Sequence, residues 1–498
     1  MGLKTLGAPP VISSLCVSAR LTSSPTVSEF VLDERSRKLL LERLERGVRR
    51  ARAGQGEVLV GLTRVVAAAV DPSQVVHASR RTGEPWFCFE QPDRDGAALA
   101  SLGELKRIDA GGPGRFARAA EQWRRLVGGA ICDPADGPAG AGLVATGGFA
   151  FAPDGGSAPH WAGFDSGVLT IPEVSLARRG EDVRLTVAAV ATPDDEPHDL
   201  LARVERRLAE LREAPLPLLD PSPSGRWRIA SSAPPEHYEA AVARAVERIE
   251  AGDFEKIVLA REVSVHAPAD HDVAAVFGVL RAAFTSCYVF CAGIGDAAFV
   301  AASPELLVRR EGLRASTVAL AGSTRRSADP GVDAHLGEQL LRSEKDRAEQ
   351  AIVARRIAHA LRPHSVWVTA PEEPTIVRVA NIQHLATPIR AQLRQPVSAV
   401  ELAGLLHPTP AVGGEPHAAA TPRIPAFEGL DRGWYAGPVG WTDANEDGEF
   451  CVALRCALVT GRVARLYAGV GVVRESDPAA ELAETEVKLG ALLPVLSG

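Results

Sequence analysis

The C-terminal part of the chain carries acidic and basic side chains at helical spacing. Glu481, Glu484 and Lys488 stand three and four residues apart, so a helix would bring them onto one stripe. Apolar residues between about 477 and 495 predict such a helix with one buried face. Two carboxylates and an ammonium suit a small anion that is bridged by a hard cation. Taken alone, such a stripe is more typical of a solvated helix face.

A second set of charged residues lies far away in the sequence. The apolar pattern from 340 to 361 predicts another helix, and Lys345, Asp346 and Glu349 share its other side near the start. Acidic residues in a first turn also stabilise any helix through its dipole. A divalent ion held by one carboxylate from each helix would account for both sets. Mg²⁺ in particular binds through one or two carboxylates and keeps positions for water and substrate.

The composition indicates a large protein that needs no membrane. With 498 residues, of which 46% are apolar, the chain can form one large or two medium domains. It has no run of eighteen apolar residues, no signal-peptide layout in 1–21, and Leu6 where myristoylation needs Ser or Thr. Acidic and basic residues are interspersed at a net charge of −7. We therefore expect neither nucleic-acid nor membrane binding.

Cysteine usage predicts a cytoplasmic protein. The chain has no Cys-x-x-Cys pair. Its seven cysteines are Cys16, Cys88, Cys132, Cys287, Cys291, Cys451 and Cys456. This odd, scattered set is typical of a reducing compartment and disfavours a structural zinc site.

A Pro-rich stretch at 214–224 is the one convincing internal boundary. It divides the chain into an N-terminal α+β region, 1–225, and a second region, 230–498. Short strand patterns occur on both sides, including 57–65, 86–90, 256–265, 288–292, 450–458 and 465–471, and 147–151 suits either a strand or a turn. Since many of these strands are joined by turns, we expect an α+β fold with large, mostly antiparallel sheets.

The second region resembles the chorismate-utilising enzymes, which include anthranilate, aminodeoxychorismate, salicylate and isochorismate synthases. The resemblance spans about 235–495 and rests on ordered blocks: FEKIVLAR (254–261), ASPELL (302–307), LAGSTR (320–325), SEKD (343–346), QHLATP (383–388), HPTPA (407–411) and the C-terminal stripe. It implies the fold of anthranilate synthase component I. The N-terminal region matches this family only loosely.

Within the resemblance, Lys256 indicates water as the nucleophile. Family members that use ammonia carry Gln at this place, whereas those that add water carry Lys, so we expect no glutamine amidotransferase subunit. A lysine held among apolar neighbours can lose its proton and serve as a general base, although a lone strand lysine is more often an exposed edge residue. By the same resemblance, Glu305 is the general acid that protonates the departing C4 hydroxyl.

The remaining site residues are also implied by the resemblance. Ala321 occupies the slot in which aminodeoxychorismate synthases carry a nucleophilic Lys, while Gly322 and Ser323 offer backbone and hydroxyl donors. The resemblance places His384 near C4 of the substrate, although the local pattern alone is more typical of a satisfied core histidine. The enolpyruvyl carboxylate would meet Tyr435, Arg455, Gly469, Gly471 and Lys488. Mg²⁺ would be held by Glu349 and Glu484, with Asp346 and Glu481 orienting its waters.

These residues together imply a Mg²⁺-dependent isomerase that moves the hydroxyl of chorismate from C4 to C2. One alternative is a salicylate synthase, which goes on to eliminate pyruvate. Ala411 speaks against it, because pyruvate-eliminating relatives carry Thr there. The other alternative is a regulatory protein that binds an aromatic carboxylate without turnover, which the intact set of Lys256, Glu305, Glu349 and Glu484 disfavours.

Overall fold

A computed structural model describes residues 29–220, 224–379 and 382–497. Cys16 and the predictions for 1–21 lie outside these ranges, as do three residues of the Pro-rich stretch. The six cysteines within the described ranges are free thiols.

The strands of the described residues are β1 Val58–Val66, β2 Trp86–Gln91, β3 Ala97–Leu102, β4 Lys106–Asp109, β5 Val144–Phe149, β6 Gly167–Ile171, β7 Val174–Arg179, β8 Asp182–Ala191, β9 Arg228–Ser231, β10 Lys256–His266, β11 Tyr288–Ile294, β12 Ala297–Ser303, β13 Leu306–Glu311, β14 Arg314–Arg325, β15 Ser365–Thr369, β16 Thr375–Arg378, β17 Ile382–Leu393, β18 Gly414–Glu415, β19 Pro438–Asp443, β20 Gly448–Val452, β21 Cys456–Thr460 and β22 Val463–Val472.

The α-helices of the same residues are α1 Glu34–Arg50, α2 Pro72–Ser79, α3 Arg115–Gly128, α4 Pro197–Ala209, α5 Pro235–Glu250, α6 Val273–Ala283, α7 Pro330–Arg342, α8 Glu344–Leu361, α9 Ala399–Leu406, α10 His417–Ala420, α11 Ile424–Glu428, α12 Pro478–Leu489 and α13 Leu493–Ser497. None of these described helices combines the length and apolar character that crossing a bilayer requires.

Antiparallel pairing builds two large sheets from the described strands. The first sheet has the order β1-β8-β7-β3-β2-β11-β12-β21-β22-β10-β18, with β9 also paired to β10. The second has the order β15-β17-β14-β13-β20-β19-β5-β6-β4, with β16 paired to β17. The predicted α+β fold with large antiparallel sheets is therefore confirmed.

Both sheets contain strands from either side of the Pro-rich stretch. In the first sheet β2 pairs with β11, and Phe89 lies opposite Phe290. In the second sheet β5 pairs with β19, and Gly147 lies opposite Gly440. Residues 147–149 of the 147–151 segment, which the sequence left open, thus form the end of β5, an interior strand of the second sheet.

The main core lies between the two sheets. Alternate residues of β11 face opposite sides, so Phe290 joins the aromatic core with Phe149 and Phe450 of the second sheet, while Val289 and Cys291 face the helices on the outer side. Both faces of β11 are therefore buried, each against a different layer, which explains why the strand is apolar along its whole length.

Two of the places where the chain changes sheets lie side by side. Pro304 and Glu305 connect β12 of the first sheet to β13 of the second, and 453–455 connect β20 of the second sheet to β21 of the first. The Val452 N–H donates to the Glu305 carbonyl at 3.0 Å, and the Ala302 N–H donates to the Arg455 carbonyl at 3.1 Å. These hydrogen bonds fix both crossings against each other.

Three predicted elements were wrong in their extent. The strand expected at 450–458 is interrupted, because the chain leaves one sheet after Val452 and enters the other at Cys456, with Arg455 between them at φ +48°. The helix expected at 340–361 is broken at Ser343, whose hydroxyl accepts from the Asp346 N–H and caps α8. The C-terminal helix stops at Leu489 and a short α13 follows.

Candidate active site

One cavity brings the predicted site residues together. All of them except Lys256 line it, from the crossing at 304–305, from β14, α8, β17, β22 and α12, and from the loops at 409–413, 435 and 455. The cavity has a volume of about 830 Å³ including the space at its mouth, which suits a small-molecule ligand. Residues that are up to about 180 positions apart in sequence thus meet at one place beside the two sheet crossings.

Lys256 lies just behind the cavity lining. It begins β10, is 0% exposed, and its Nζ is 2.8 Å from Glu349 Oε1. Gly471 lies beside this pair, where a Cβ atom would come within 2.5 Å of Glu349 Oε1 and 2.8 Å of Lys256 Cε. Only glycine leaves the room that this lysine and glutamate occupy, which explains the residue type at 471.

Glu305 is a buried carboxyl whose backbone is fixed at the first crossing. The residue is 3% exposed, and its N–H donates to the Ser303 hydroxyl at 3.2 Å. Burial raises the pKa of Glu305 to about 8, although the positive charges of Lys256 and Arg455 oppose the shift. At neutral pH this carboxyl therefore holds a proton that it can donate.

A β-bulge shapes the wall that carries Ala321 and Ser323. The pairing of β14 with β17 shifts by one residue between them, and Gly322 is the extra residue, with φ +71°. A Cβ atom at Gly322 would lie 3.0 Å from Cβ of Asp346. Ala321, Gly322 and Ser323 all border the cavity, although in a regular strand Gly322 would face the side opposite to its two neighbours.

Hydrogen bonds connect Arg455, His384 and the Gly322 carbonyl along the cavity wall. An Arg455 guanidinium N–H lies 3.3 Å from His384 Nε2, and His384 Nδ1 lies 3.3 Å from the Gly322 carbonyl. Burial, followed by the charges of Arg455 and Lys488, lowers the pKa of His384 to about 3. The imidazole is thus neutral at pH 7, and the network assigns its proton to Nδ1 with Nε2 as acceptor.

Arg455 is the cationic group here that pairs with no neighbouring carboxylate in the described residues. Its left-handed backbone, at φ +48°, is costly for a side chain of this size, and such strain is often found at binding sites. Burial lowers its pKa. A guanidinium held in this way is prepared to bind an incoming carboxylate in a bidentate manner.

Each lysine of the site pairs with one glutamate. The three ion pairs are Lys256–Glu349 at 2.8 Å, Lys345–Glu481 at 3.0 Å and Lys488–Glu484 at 2.7 Å. Glu484 also accepts a hydrogen bond from Ser323 Oγ at 2.8 Å. Although burial opposes it, the Lys488 ammonium and this hydroxyl bring the pKa of Glu484 down to about 2. Glu484 is therefore ionised under all physiological conditions.

The carboxylates of α8 and α12 provide a donor set for a divalent ion. Asp346, Glu349, Glu481 and Glu484 all border the cavity. Burial raises the pKa of Asp346, and the negative charges of Glu349 and Glu484 add to this rise. Across 29–220, 224–379 and 382–497, no three Asp, Glu, His or Cys side chains converge on one point. A few carboxylates with room for substrate oxygens and water fit Mg²⁺ better than a metal that needs a complete protein cage.

The floor of the cavity combines an aromatic ring with close-packed backbone. Tyr435 is 3% exposed and stacks on Tyr467 with ring centroids 5.2 Å apart. A Cβ atom at Gly469 would lie 2.8 Å from the Tyr435 hydroxyl oxygen, so glycine is needed at this point too. Lys488 Nζ donates to the Gly469 carbonyl at 3.0 Å. These contacts place the predicted groups for an anion beside one another.

Ala411 lies in a loop that is hydrogen-bonded to β10. The Val258 N–H donates to the Gly413 carbonyl at 2.7 Å, and Arg432 donates to the Val412 carbonyl at 2.8 Å. Because the loop is fixed in this way, the methyl group of Ala411 contributes a small apolar patch to the cavity wall.

Several lining residues were not predicted as site residues. They include Lys345, whose side chain was assigned to a helix face only, and the apolar Leu320, Val412 and Leu454. Tyr467 could have been found, because it precedes Gly469 and Gly471 on β22 at spacings of two and four and so shares their face. The apolar residues carry no pattern that distinguishes them from core.

The sequence and the fold of this chain are similar to those of known proteins. Residues 46–497 match the sequence profile described as chorismate binding enzyme. The salicylate biosynthesis isochorismate synthase of Pseudomonas aeruginosa is 38% identical over 453 residues, which cover 91% of this chain and 93% of that protein. The solved menaquinone-specific isochorismate synthase of Escherichia coli superposes with a TM-score of 0.74 at 27% identity, covering 93% of this chain and all of the other.

A more distant solved structure shares the fold. Anthranilate synthase component I of Streptococcus pneumoniae gives a TM-score of 0.60 at 19% identity, over 86% of this chain and 92% of the other. The profile match covers nearly all the described residues and includes the N-terminal region, which the motifs matched only loosely. The chain therefore belongs to the chorismate-binding enzyme family, as its sequence blocks predicted.

Proposed function

We propose that this protein is an isochorismate synthase that converts chorismate to isochorismate with Mg²⁺ as cofactor. Water adds at C2 of the ring, the double bond migrates, and the C4 hydroxyl departs as water. The observation that carries the proposal is the buried Glu305 carboxyl at the cavity wall, whose pKa burial raises and on which the charge of Lys256 acts. The relatives named above as isochorismate synthases support the same reaction.

The acid step belongs to Glu305. Hydroxide is a very poor leaving group, and a positioned acid accelerates its departure by roughly 10²–10⁴. A carboxyl with a pKa of about 8 is mostly protonated at pH 7 and gives up its proton more readily than water does.

The base step belongs to Lys256. It can accept a proton from water only when it is neutral, so the Lys256 ammonium that pairs with Glu349 must first release its proton to solvent. After the reaction Lys256 has gained one proton and Glu305 has lost one. Return of that proton from Lys256 to Glu305 restores the starting state without a net change, as an isomerisation requires.

The residue types at two further positions exclude related reactions. Ala321 borders the cavity and has no nucleophilic atom, so no covalent aminodeoxychorismate-type intermediate can form there. Lys256 stands where ammonia-using relatives carry Gln, as noted above. We infer that the protein needs no glutamine amidotransferase subunit, and neither nucleic acid nor a membrane takes part in the reaction.

Glu349 and Glu484 would hold the Mg²⁺, with Asp346 and Glu481 hydrogen-bonding its water ligands. When bound, the ion would neutralise these carboxylates and attract the ring carboxylate of the substrate. The enolpyruvyl carboxylate would meet Arg455, which has no carboxylate partner among the described residues. In the same region Tyr435, Lys488 and the backbone of Gly469 complete an anion site.

The test is product identification. The purified protein is incubated with chorismate and Mg²⁺, and the mixture is separated by liquid chromatography with mass detection, while a lactate-dehydrogenase-coupled assay follows pyruvate. We expect an isomer of chorismate with a new retention time, no product with excess EDTA, and no aminated product with ammonium. Salicylate with an equal amount of pyruvate would make the protein a salicylate synthase. Absence of turnover would leave a regulatory binding protein.

A further inference from the structure

A buried threonine beside Glu305 has no role in the reaction described so far. Thr409 is 2% exposed, and its hydroxyl is shielded from solvent without a hydrogen bond of standard geometry in the described residues. The group with which this hydroxyl interacts is the Glu305 carboxyl. Hydrogen bonds at active sites are often long or poorly aligned before substrate binds, and they shorten in the complex.

The backbone around Thr409 is rigid. Its carbonyl accepts hydrogen bonds from the N–H groups of Val412 at 3.1 Å and Gly413 at 2.9 Å, which close a tight turn. The Gly413 carbonyl in turn accepts from the Val258 N–H of β10 at 2.7 Å. The backbone of Thr409 is thus held at a fixed point relative to the strand that begins with Lys256.

The backbone of Glu305 is equally fixed, but its side chain is not fixed by the crossing itself. Ser303 and Val452 hydrogen-bond the main chain of Glu305 and do nothing to select a rotamer for its carboxyl. The charged groups that act on this carboxyl are Lys256 and Arg455. The carboxyl in turn acts electrostatically on the thiol of Cys451. Thr409 is the uncharged member of this set.

We propose that Thr409 is a positioning residue that orients the Glu305 carboxyl toward the departing hydroxyl of the substrate. Its hydroxyl donates to the carboxylate oxygen that does not carry the proton, so that the protonated oxygen faces the cavity. This inference rests on the proposed function, since it assigns the orientation of the proposed acid. A valine would fill the same space, and a hydroxyl with no polar role costs free energy when it is buried, so the hydroxyl at this position needs a function.

Removal of the Thr409 hydroxyl should shift the pH dependence of kcat in one direction. A donor to the carboxylate stabilises its ionised form and holds the pKa below the value that burial alone would give. Removal of the hydroxyl should therefore move the basic limb of the kcat profile to higher pH. The same change lets the carboxyl rotate, so turnover should fall at pH 7 even though Glu305 stays protonated.

The experiment compares Thr409→Val, which has the same shape without the hydroxyl, with Thr409→Ser, which keeps it. We expect Thr409→Val to lose about tenfold in kcat, equivalent to one oriented hydrogen bond, with KM changed by less than about twofold. Its basic limb should move up in pH, and Thr409→Ser should restore both values. The infrared band of the protonated carboxyl, assigned with Glu305→Gln, reports the same pKa without turnover.

A purely structural role for Thr409 would lower the melting temperature of both variants and leave the basic limb and the infrared titration in place. That result, or equal losses in Thr409→Val and Thr409→Ser, would overturn the inference. These outcomes differ from a failure of the proposed function. If the proposed function were wrong, the wild-type protein itself would not form isochorismate.

Discussion

The protonated state of Glu305 leads to a quantitative prediction for pH dependence. With a pKa of about 8, roughly 90% of this carboxyl is protonated at pH 7 and roughly 10% at pH 9. Because the acid acts only in its protonated form, activity is present below this pKa and is lost as the pH rises through it. We expect kcat under saturating chorismate and Mg²⁺ to fall about ninefold to tenfold between pH 7 and pH 9.

The same burial makes Glu305 unfavourable for stability. Between its ordinary value of 4.5 and about 8, the folded protein keeps a proton that the unfolded chain has lost. The free energy of unfolding therefore decreases with rising pH by about 1.4 kcal/mol per unit over this window. Glu305→Gln has no such proton, so it should be more stable than the wild type at pH 8, by a few kcal/mol in order of magnitude. The difference should vanish below about pH 4.5.

The two effects are measured together. Glu305→Gln should lose turnover by about 10² or more while its melting temperature at pH 8 rises. Glu311→Gln is the matched control, because Glu311 ends β13, the strand that follows Glu305, with an exposed side chain outside the cavity. A Glu305→Gln variant with near wild-type turnover, or one less stable than the wild type at pH 8 but not at pH 5, would refute the assignment of a buried protonated acid.

Three further predictions concern the base, the metal and the end point of the reaction. Lys256→Ala should lower kcat by about 10² or more with the fold intact, whereas Lys38→Ala, an exposed control on α1, should not; near wild-type turnover in Lys256→Ala would remove its role. Glu349→Ala and Glu484→Ala should each abolish Mg²⁺-dependent activity, and Glu484→Ala should lose metal-dependent chorismate binding in calorimetry; full activity in excess EDTA would contradict both. Ala411→Thr should gain pyruvate release in the lactate-dehydrogenase-coupled assay, because an added hydroxyl can hold the enolpyruvyl group in an eliminating geometry. Equal, substantial pyruvate from both proteins would show that Ala411 does not decide whether pyruvate is eliminated.

Local patterns were sufficient to find several of the strands. β10 was expected at 256–265 and runs from Lys256 to His266, and β11 was expected at 288–292 and runs from Tyr288 to Ile294. Such segments are recognisable because their apolar, β-branched and aromatic residues are bounded by turn residues. Helix ends with a clear stop signal are recognisable in the same way, as at Gly252, which has φ +83° just after α5.

Long-range pairing could not be predicted in this way. Nothing local in 144–149 says that this segment pairs with β19 nearly three hundred residues later. The run 450–458 looks like one strand, since its break at Arg455 depends on a change of sheet rather than on a Gly or Pro. Both features follow from how the two sheets assemble, which periodicity does not report.

The site was predicted through its family blocks more than through the chemistry of single residues. Glu305 and Lys256 were named in this way, but their surroundings were not: the Lys256–Glu349 ion pair and the bulge at Gly322 depend on elements that meet only in the fold. Thr409 lay within a recognised block and had no assigned role, because its contact with Glu305 joins two loops that are about a hundred residues apart.

The most direct test of the central claim follows the oxygen atom. Chorismate is converted in H₂¹⁸O with Mg²⁺, and isochorismate is isolated by liquid chromatography for mass analysis. If Lys256 activates a solvent water for attack at C2, the product carries one ¹⁸O in its ring hydroxyl. Isochorismate without the label would mean that the original hydroxyl had moved without exchange, and would contradict the roles given to Lys256 and Glu305.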